Sequence, residues 1–395
     1  MAVYLDHAAT TPMLPEAISA YVSAMAVVGN PASVHSQGQN AKRLLEEARE
    51  QVALSLGSDP IEIVFTGGGT EAINLGIKGL YWARRPRTRI LVPGGEHHAT
   101  MDTVEWLEQY EGAVVEWLPL DSVGRIDLAA VERSIAANPH DIALITLLSA
   151  NNEVGTLQPV AEVAALAAAH DIPVHVDAVA AYGHVPIDFR ALNDGGASAV
   201  SVSAHKIGGP VGIGALVLSR RASVVPLLHG GGQQRQVRSG TQDVAAAVAF
   251  AVAATALGDD LSGENARVAA LRDRLVAGVR AAVPAVIVNG DPDAGGRLPG
   301  TAHFSFPGCE GDSLLFLLDV AGISVSTGSA CQAGVPEPSH VLRAMGRSEV
   351  EARGALRITL GRTSTEADVD ALLAAVPAAH ARAARAGLAD RVPGR

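Results

Sequence analysis

Lysine is nearly absent from this chain. Of 30 basic residues only Lys42, Lys78 and Lys206 are lysines, and the other 27 are arginines. Arginine serves surface charge, but its guanidinium stays protonated and cannot form an imine at neutral pH. Imine chemistry is therefore confined to three positions. Lys42 lies one turn before Glu46 on an amphipathic stretch, which predicts an exposed ion pair. Lys78 is expected in the last turn of a helix stopped by Gly79, where a cation suits the helix dipole. Lys206, in Ser203-Ala204-His205-Lys206, has neither explanation. It follows the apolar run Ala197–Val202 and precedes Gly208-Gly209-Pro210. Position alone leaves it open between an imine lysine and a solvated loop lysine.

Other scarcities exclude whole classes. Two cysteines, Cys309 and Cys331, cannot build a disulfide framework. Both are expected to stay reduced, in a cytoplasm. No apolar run approaches the ~20 residues that cross a bilayer, and the longest, Ala245–Leu257, reads as a buried helix. The start, MAVYLDHAATTP, has neither a basic n-region nor an apolar h-region, so no export signal is expected. The formal charge is −11, and no dense basic run is present, which disfavours a direct nucleic-acid partner. No HExxH or CxxC pattern occurs, and the adjacent His97 and His98 do not face one way on a helix, so no metal site is expected. At 48% hydrophobic and 18% charged residues, the chain is globular and long enough for two domains.

The middle of the chain alternates apolar runs with helical periodicity. Ile61–Thr66, Arg89–Val92, Val114–Pro119, Ala143–Leu148, Val174–Asp177, Ala199–Ser203 and Ala215–Leu218 read as strands. Helical stretches such as Ala41–Leu56 and Val160–His170 lie between them. This predicts an α/β fold with a mainly parallel seven-stranded sheet covered on both faces. Ligands then bind at the carboxyl ends of the strands. The polar break Gly258–Gly263 marks a boundary to a smaller α+β unit.

Several strand ends carry polar residues. Thr66-Gly67-Gly68-Gly69-Thr70-Glu71 is a glycine-rich strand-to-helix turn. Its amides could hold one phosphate, with Thr70 capping the helix and adding a hydroxyl, or the turn is structural. It matches neither the Walker nor the dinucleotide spacing. Asp177 ends a strand 29 residues before Lys206. It could pair with a protonated pyridine nitrogen, or simply cap a helix. Asn151-Asn152-Glu153 reads as a site or a turn, and His97 as a ring stacked on a cofactor, a proton carrier or a loop histidine. Arg357, inside a strand pattern, needs a partner: a substrate carboxylate or an internal salt bridge. Cys331 lies in a run of small residues and is the better nucleophile candidate. Roughly a tenth would be thiolate at pH 7.5 for an ordinary pKa. Cys309 reads as a turn cysteine.

Together these elements describe a pyridoxal phosphate site, and here the sequence resembles a known family. The motifs are Tyr4–Pro12, Gly29-Asn30-Pro31, Gly68-Gly69-Thr70-Glu71, Asn151–Gly155, Ser203–Lys206, Arg238-Ser239-Gly240-Thr241, Gly328-Ser329-Ala330-Cys331 and Leu356-Arg357. They resemble the cysteine desulfurases of fold type I (aminotransferase class V) from residue 4 to about 370. The resemblance implies a large cofactor-binding domain over 16–257. A small domain from 1–15 and 258–395 would carry the mobile cysteine loop. It implies that Lys206 carries the cofactor as an imine and shuttles protons, that Asp177 pairs with the ring nitrogen, and that His97 stacks on the ring. Gly69, Thr70, Ser203 and His205 would hold the phosphate, with Thr241 reaching it from a partner subunit of a homodimer. Asn152 and Arg357 would orient the carboxylate of L-cysteine. Cys331 would take the sulfur as a persulfide, leaving alanine. The Gly-Ser-Ala-Cys form is similar to the type that supplies iron–sulfur scaffolds or tRNA thiolation. A selenocysteine lyase, another class V lyase or aminotransferase, or a weakly active sulfur-transfer scaffold are the alternatives.

One position departs from the family. A glutamine that bonds the cofactor's phenolic oxygen is replaced by Ala180. Losing one hydrogen bond to a charged oxygen is worth about 1.5–3 kcal/mol at most, and water can replace it. Binding is expected to survive, with a shifted pH titration of the cofactor. Ala72-Ile73 also stand where polar residues are usual.

Overall fold

The computed structural model describes residues 3–258, 260–328 and 338–389. Cys331, with Ser329 and Ala330, lies outside the described residues. The chain opens with β1 (Val3–Tyr4), α1 (Pro15–Met25) and α2 (Ser36–Ser55). Strands and helices then alternate: β2 (Ile63–Thr66), α3 (Gly69–Ala83), β3 (Arg89–Pro93), α4 (His98–Glu111), β4 (Val114–Leu118), α5 (Leu128–Ala137) and β5 (Ile142–Leu148). The alternation continues through α6 (Val160–Ala168), β6 (Val174–Asp177), α7 (Phe189–Asp194), β7 (Ala197–Ser203), β8 (Gly214–Leu218) and α8 (Val244–Thr255). The remainder is α9 (Leu261–Ala282), β9 (Ile287–Asn289), β10 (Thr301–Ser305), α10 (Gly311–Val320), β11 (Ile323–Ser324), α11 (His340–Ala344), α12 (Glu349–Arg353), β12 (Ala355–Thr359) and α13 (Glu366–Ala389).

Seven strands form one sheet in the order β2-β8-β7-β6-β5-β3-β4. Only β8 runs against its neighbours β2 and β7; the other pairs are parallel. The carboxyl ends of β2, β7, β6, β5 and β3 therefore share one edge. Buried strands such as Ile142–Leu148 are continuous hydrophobic runs, as expected for a sheet covered on both faces. A three-stranded antiparallel sheet, β12-β10-β9, packs with α9, α10 and α13 around a second core that includes Leu5, Leu275, Phe304 and Leu372.

Two expectations need correction. The first strand starts at Ile63, because Pro60–Glu62 is a 3₁₀ turn closed by Asp59 and Glu62. Helix α3 runs through Gly79 to Ala83, so Lys78 is not in a last turn. Gly79 is there for space: a Cβ would meet the Val225 carbonyl oxygen at 3.0 Å. Lys78 Nζ lies 4.1 Å from the centroid of the Trp106 ring, a cation–π contact. The ion pairs on the Lys42 stretch are Arg43–Glu47, at 2.7 Å, and Arg49–Glu46, at 3.0 Å, so Glu46 pairs with Arg49.

Gly76 brings α3 down onto the sheet. A Cβ there would stand 2.5 Å from His175 Cδ2. The buried His175 ring is fixed by Thr146 Oγ1 (2.9 Å) and Ser201 Oγ (2.8 Å). This contact sets the start of α3 beside the ends of β6 and β7.

Candidate active site

Most of the sequence-singled residues meet at the shared strand edge. Asp177 ends β6, Ser203 ends β7, and the Gly67–Gly69 turn follows β2. Lys206 follows β7 by three residues, Asn152 follows β5, and His97 caps α4 beyond β3.

The α3 turn is a cradle. Gly68, the N-cap, has φ +139°, a conformation L side chains rarely adopt. A Cβ on Gly69 would meet Val179 Cγ2 at 2.9 Å and Ser203 Cβ at 3.4 Å, so only glycine lets the helix start approach Ser203. The first α3 amides lack intrahelical acceptors and attract an anion. Thr70 does not cap the helix as expected: Gly68 takes that place, and exposed Thr70 sits inside the first turn. Glu71 accepts from Gly67 N (2.7 Å) and pairs with Arg238 Nε (2.8 Å).

Lys206 Nζ donates to the carbonyls of Ala8 and Ala9. Burial, then the charge of Arg357, lower its pKa to about 8, while Asp6 and Asp177 pull the other way. A substantial fraction is thus neutral amine near pH 8, as a nucleophile requires. Asp177 is buried, and its Oδ1 accepts from Val179 N at 2.9 Å. Burial raises its pKa to about 6, against the lowering from that amide and from Lys206. It lacks a full cationic partner.

His97 Nδ1 accepts from Ala99 N at 3.0 Å, so the neutral ring carries its proton on Nε2. His97 is an exposed residue. Partial burial, followed by Lys206, His98 and His340, lowers its pKa. His205, 3.2 Å from Thr10 Oγ1 through Nδ1, is likewise held below its usual pKa by burial and Lys206. Both rings are neutral at pH 7.

Of its two expected readings, Arg357 shows the internal salt bridge. It makes an internal salt bridge from Nη2 to Asp6 Oδ1 (2.9 Å), and Nη1 donates to the Asn152 carbonyl (2.9 Å). The bridge turns the guanidinium toward Asn152, and Nε has no partner. Thr241 is exposed and shares none of these hydrogen bonds. No group of three or more His, Cys, Asp or Glu among the described residues could hold a metal.

Sequence reasoning missed three contributors. Asp6 and the Ala8 and Ala9 carbonyls belong to a segment quoted only as a motif. Their roles need tertiary contact across about 200 to 350 positions, which no local pattern encodes. Buried Glu96 was also missed. Its Oε1 accepts from Leu148 N (2.9 Å), and burial with nearby Asp177 pushes its pKa well up. His184 lines two cavities beside Lys206, of about 70 and about 30 Å³. A larger cavity of about 320 Å³ opens at the amino ends of β6 and β7, and none of these site residues lines it.

Comparison with known proteins matches this geometry. The aminotransferase class V family model covers residues 3–372. An IscS-like cysteine desulfurase of Mycobacterium tuberculosis is 53% identical over 390 residues, 98% of each chain. The cysteine desulfurase NifS of Azotobacter vinelandii is 40% identical, covering 95% of this chain and 92% of that protein. A solved NifS-like protein superposes with a TM-score of 0.87 at 34% identity, over 96% of this chain and 99% of the other. The chain belongs to the aminotransferase class V family.

Proposed function

We propose that this chain is a pyridoxal phosphate-dependent cysteine desulfurase, converting L-cysteine to L-alanine and passing the sulfur through Cys331 to an acceptor. The observation that carries it is that one strand edge brings together a lysine of lowered pKa, a buried aspartate and a glycine cradle. The site fits the cofactor on independent grounds. Among the described residues Ser203 Oγ and Asn152 Oδ1 are buried without a hydrogen-bond partner, and Asp177 lacks the cation its burial calls for. A phosphate would accept from Ser203 Oγ and a pyridinium would donate to Asp177, while Asn152 Oδ1 is left to accept from another donor. Bound there, the cofactor supplies an aldehyde carbon and a sink for electrons released at the substrate's Cα.

The chain's residues do the rest. Neutral Lys206 would hold the aldehyde and move protons at Nζ. Asp177 would hold positive charge on the ring nitrogen, and the uncharged His97 ring would stack without opposing it. Gly69, Thr70, Ser203 and His205 would take the phosphate. Asn152 and Arg357 orient the substrate carboxylate. The Cys331 thiolate attacks the substrate sulfur: an S–S bond forms, the C–S bond breaks with its electron pair left on carbon, and protonation gives alanine. The solved relative titled as SspA in complex with cysteine, 32% identical, agrees with that substrate. Cys331→Ser should keep the cofactor spectrum, while sulfide release falls by roughly 10²-fold or more. Unchanged sulfide release with cysteine and a reductant would remove Cys331 from the reaction.

A homodimer is part of this reading. Ile18, Val22 and Met25, on one face of α1, are 47%, 62% and 65% exposed, and Thr241 is unengaged. Sedimentation should give twice the mass of one chain, and a monomer at micromolar concentration would refute the dimer. The acceptor is an iron–sulfur scaffold or tRNA-thiolation protein, and the compartment a cytoplasm. No helix among the described residues is long and apolar enough to cross a membrane.

A further inference from the structure

The about 30 Å³ cavity beside Lys206 is lined by Ala180, Asn152, His184, His7 and Ala8, among others. A single water needs roughly 10–15 Å³ of such volume and two or more polar partners. The room is sufficient. Asn152 Oδ1 is a buried acceptor with no donor. The His184 ring makes no hydrogen bond within the described residues, and burial lowers its pKa to about 4, so it is neutral and offers a ring nitrogen. Apolar voids stay dry, but this one has polar walls. We propose that the cavity beside Ala180 is a built water site, and that this water, held by Asn152 and His184, donates a hydrogen bond to the cofactor's phenolic oxygen.

The geometry supplies the orientation. The proposal rests on the pyridoxal phosphate reading. In that cofactor the ring carbon that bears the aldehyde has two ring neighbours: one carries the phosphate arm, the other the phenolic oxygen. Gly69 and Ser203, which would take the phosphate arm, stand together and do not line the cavity, whereas Lys206, Asn152 and Ala180 do. With the arm in the cradle, the phenolic oxygen would fall to the cavity beside Asn152 and Ala180. A methyl side chain at 180 cannot donate, so the donor must come from the cavity. This revises the shifted titration expected from sequence: water replaces the missing donor, and the shift largely vanishes.

A donor to the phenolic oxygen draws negative charge away from the nearby nitrogen and lowers that nitrogen's affinity for a proton. Removing the donor raises it. The test compares absorbance titrations of loaded wild type, Ala180→Gln and Ala180→Val. Glutamine should displace the water, supply its own donor and leave the midpoint near wild type. Valine should fill the cavity without a donor and raise the midpoint by about one pH unit, the scale of one such hydrogen bond. A valine variant titrating as wild type would overturn the proposal. A second measurement needs no variant: a high-resolution crystal structure of wild type, with and without cofactor. It should show a density peak within hydrogen-bond reach of Asn152 Oδ1, and an empty cavity in both forms would overturn the proposal. Loss of the desulfurase reading shows elsewhere, as a wild-type protein that gains no visible absorbance with pyridoxal phosphate.

Discussion

Replacing Lys206 by alanine should lower turnover of cysteine by at least roughly 10³-fold, because in the proposed reaction the residue is both the covalent anchor and a proton carrier. No neighbour can stand in. The other lysines, Lys42 and Lys78, lie on α2 and α3, and Lys78 is engaged with Trp106. Arginines near the site cannot form an imine. The anchor has a direct readout. Borohydride reduction of loaded wild type should add the cofactor mass to the peptide carrying residue 206, and Lys206→Ala should gain none. Wild-type protein that is fully loaded yet unmodified at residue 206 would defeat the assignment. The rate at which cofactor-free wild type takes up the aldehyde should also rise with pH toward 8, as the amine loses its proton.

Asp177→Asn should move stability and activity in opposite directions. Asparagine keeps an oxygen for Val179 N but carries no charge. The aspartate titrates at about 6 in the folded chain and at 3.8 when free. Between those values the folded state binds more protons, so stability falls as pH rises through the window. Above pH 6 the cofactor-free protein bears the full penalty, about 3 kcal/mol at most for a shift of that size. Cofactor-free Asp177→Asn should therefore resist urea better than wild type at pH 8, with little difference at pH 4. The loaded variant should lose roughly 10²-fold or more in turnover, as expected when a preorganised charge is removed. Equal urea midpoints at pH 8 would mean that Asp177 is not held as a strained anion.

The sheet was legible because its strands are short apolar runs ending in polar residues. Asp177, Ser203 and Lys206 could be found by counting from those ends. Helix limits were less legible. Gly79 looked like a stop, but its glycine serves contact with the Val225 carbonyl, and helix propensity alone cannot tell the two apart. Thr70 looked like a cap, yet the turn placed Gly68 there. Arg357 was visible as a misfit in a strand, and its partner was not, since Asp6 lies 351 positions away.

That separation bears on how the protein is made. Asp6 docks through Arg357 and Thr359, and the carbonyls just after it seat Lys206. Synthesis proceeds from the amino end at roughly 5–20 residues per second. The leading residues must then wait until the strand carrying Arg357 and Thr359 has been made before they can close over the lysine. The vitamin-derived group can settle into its finished seat only after that strand has left the ribosome.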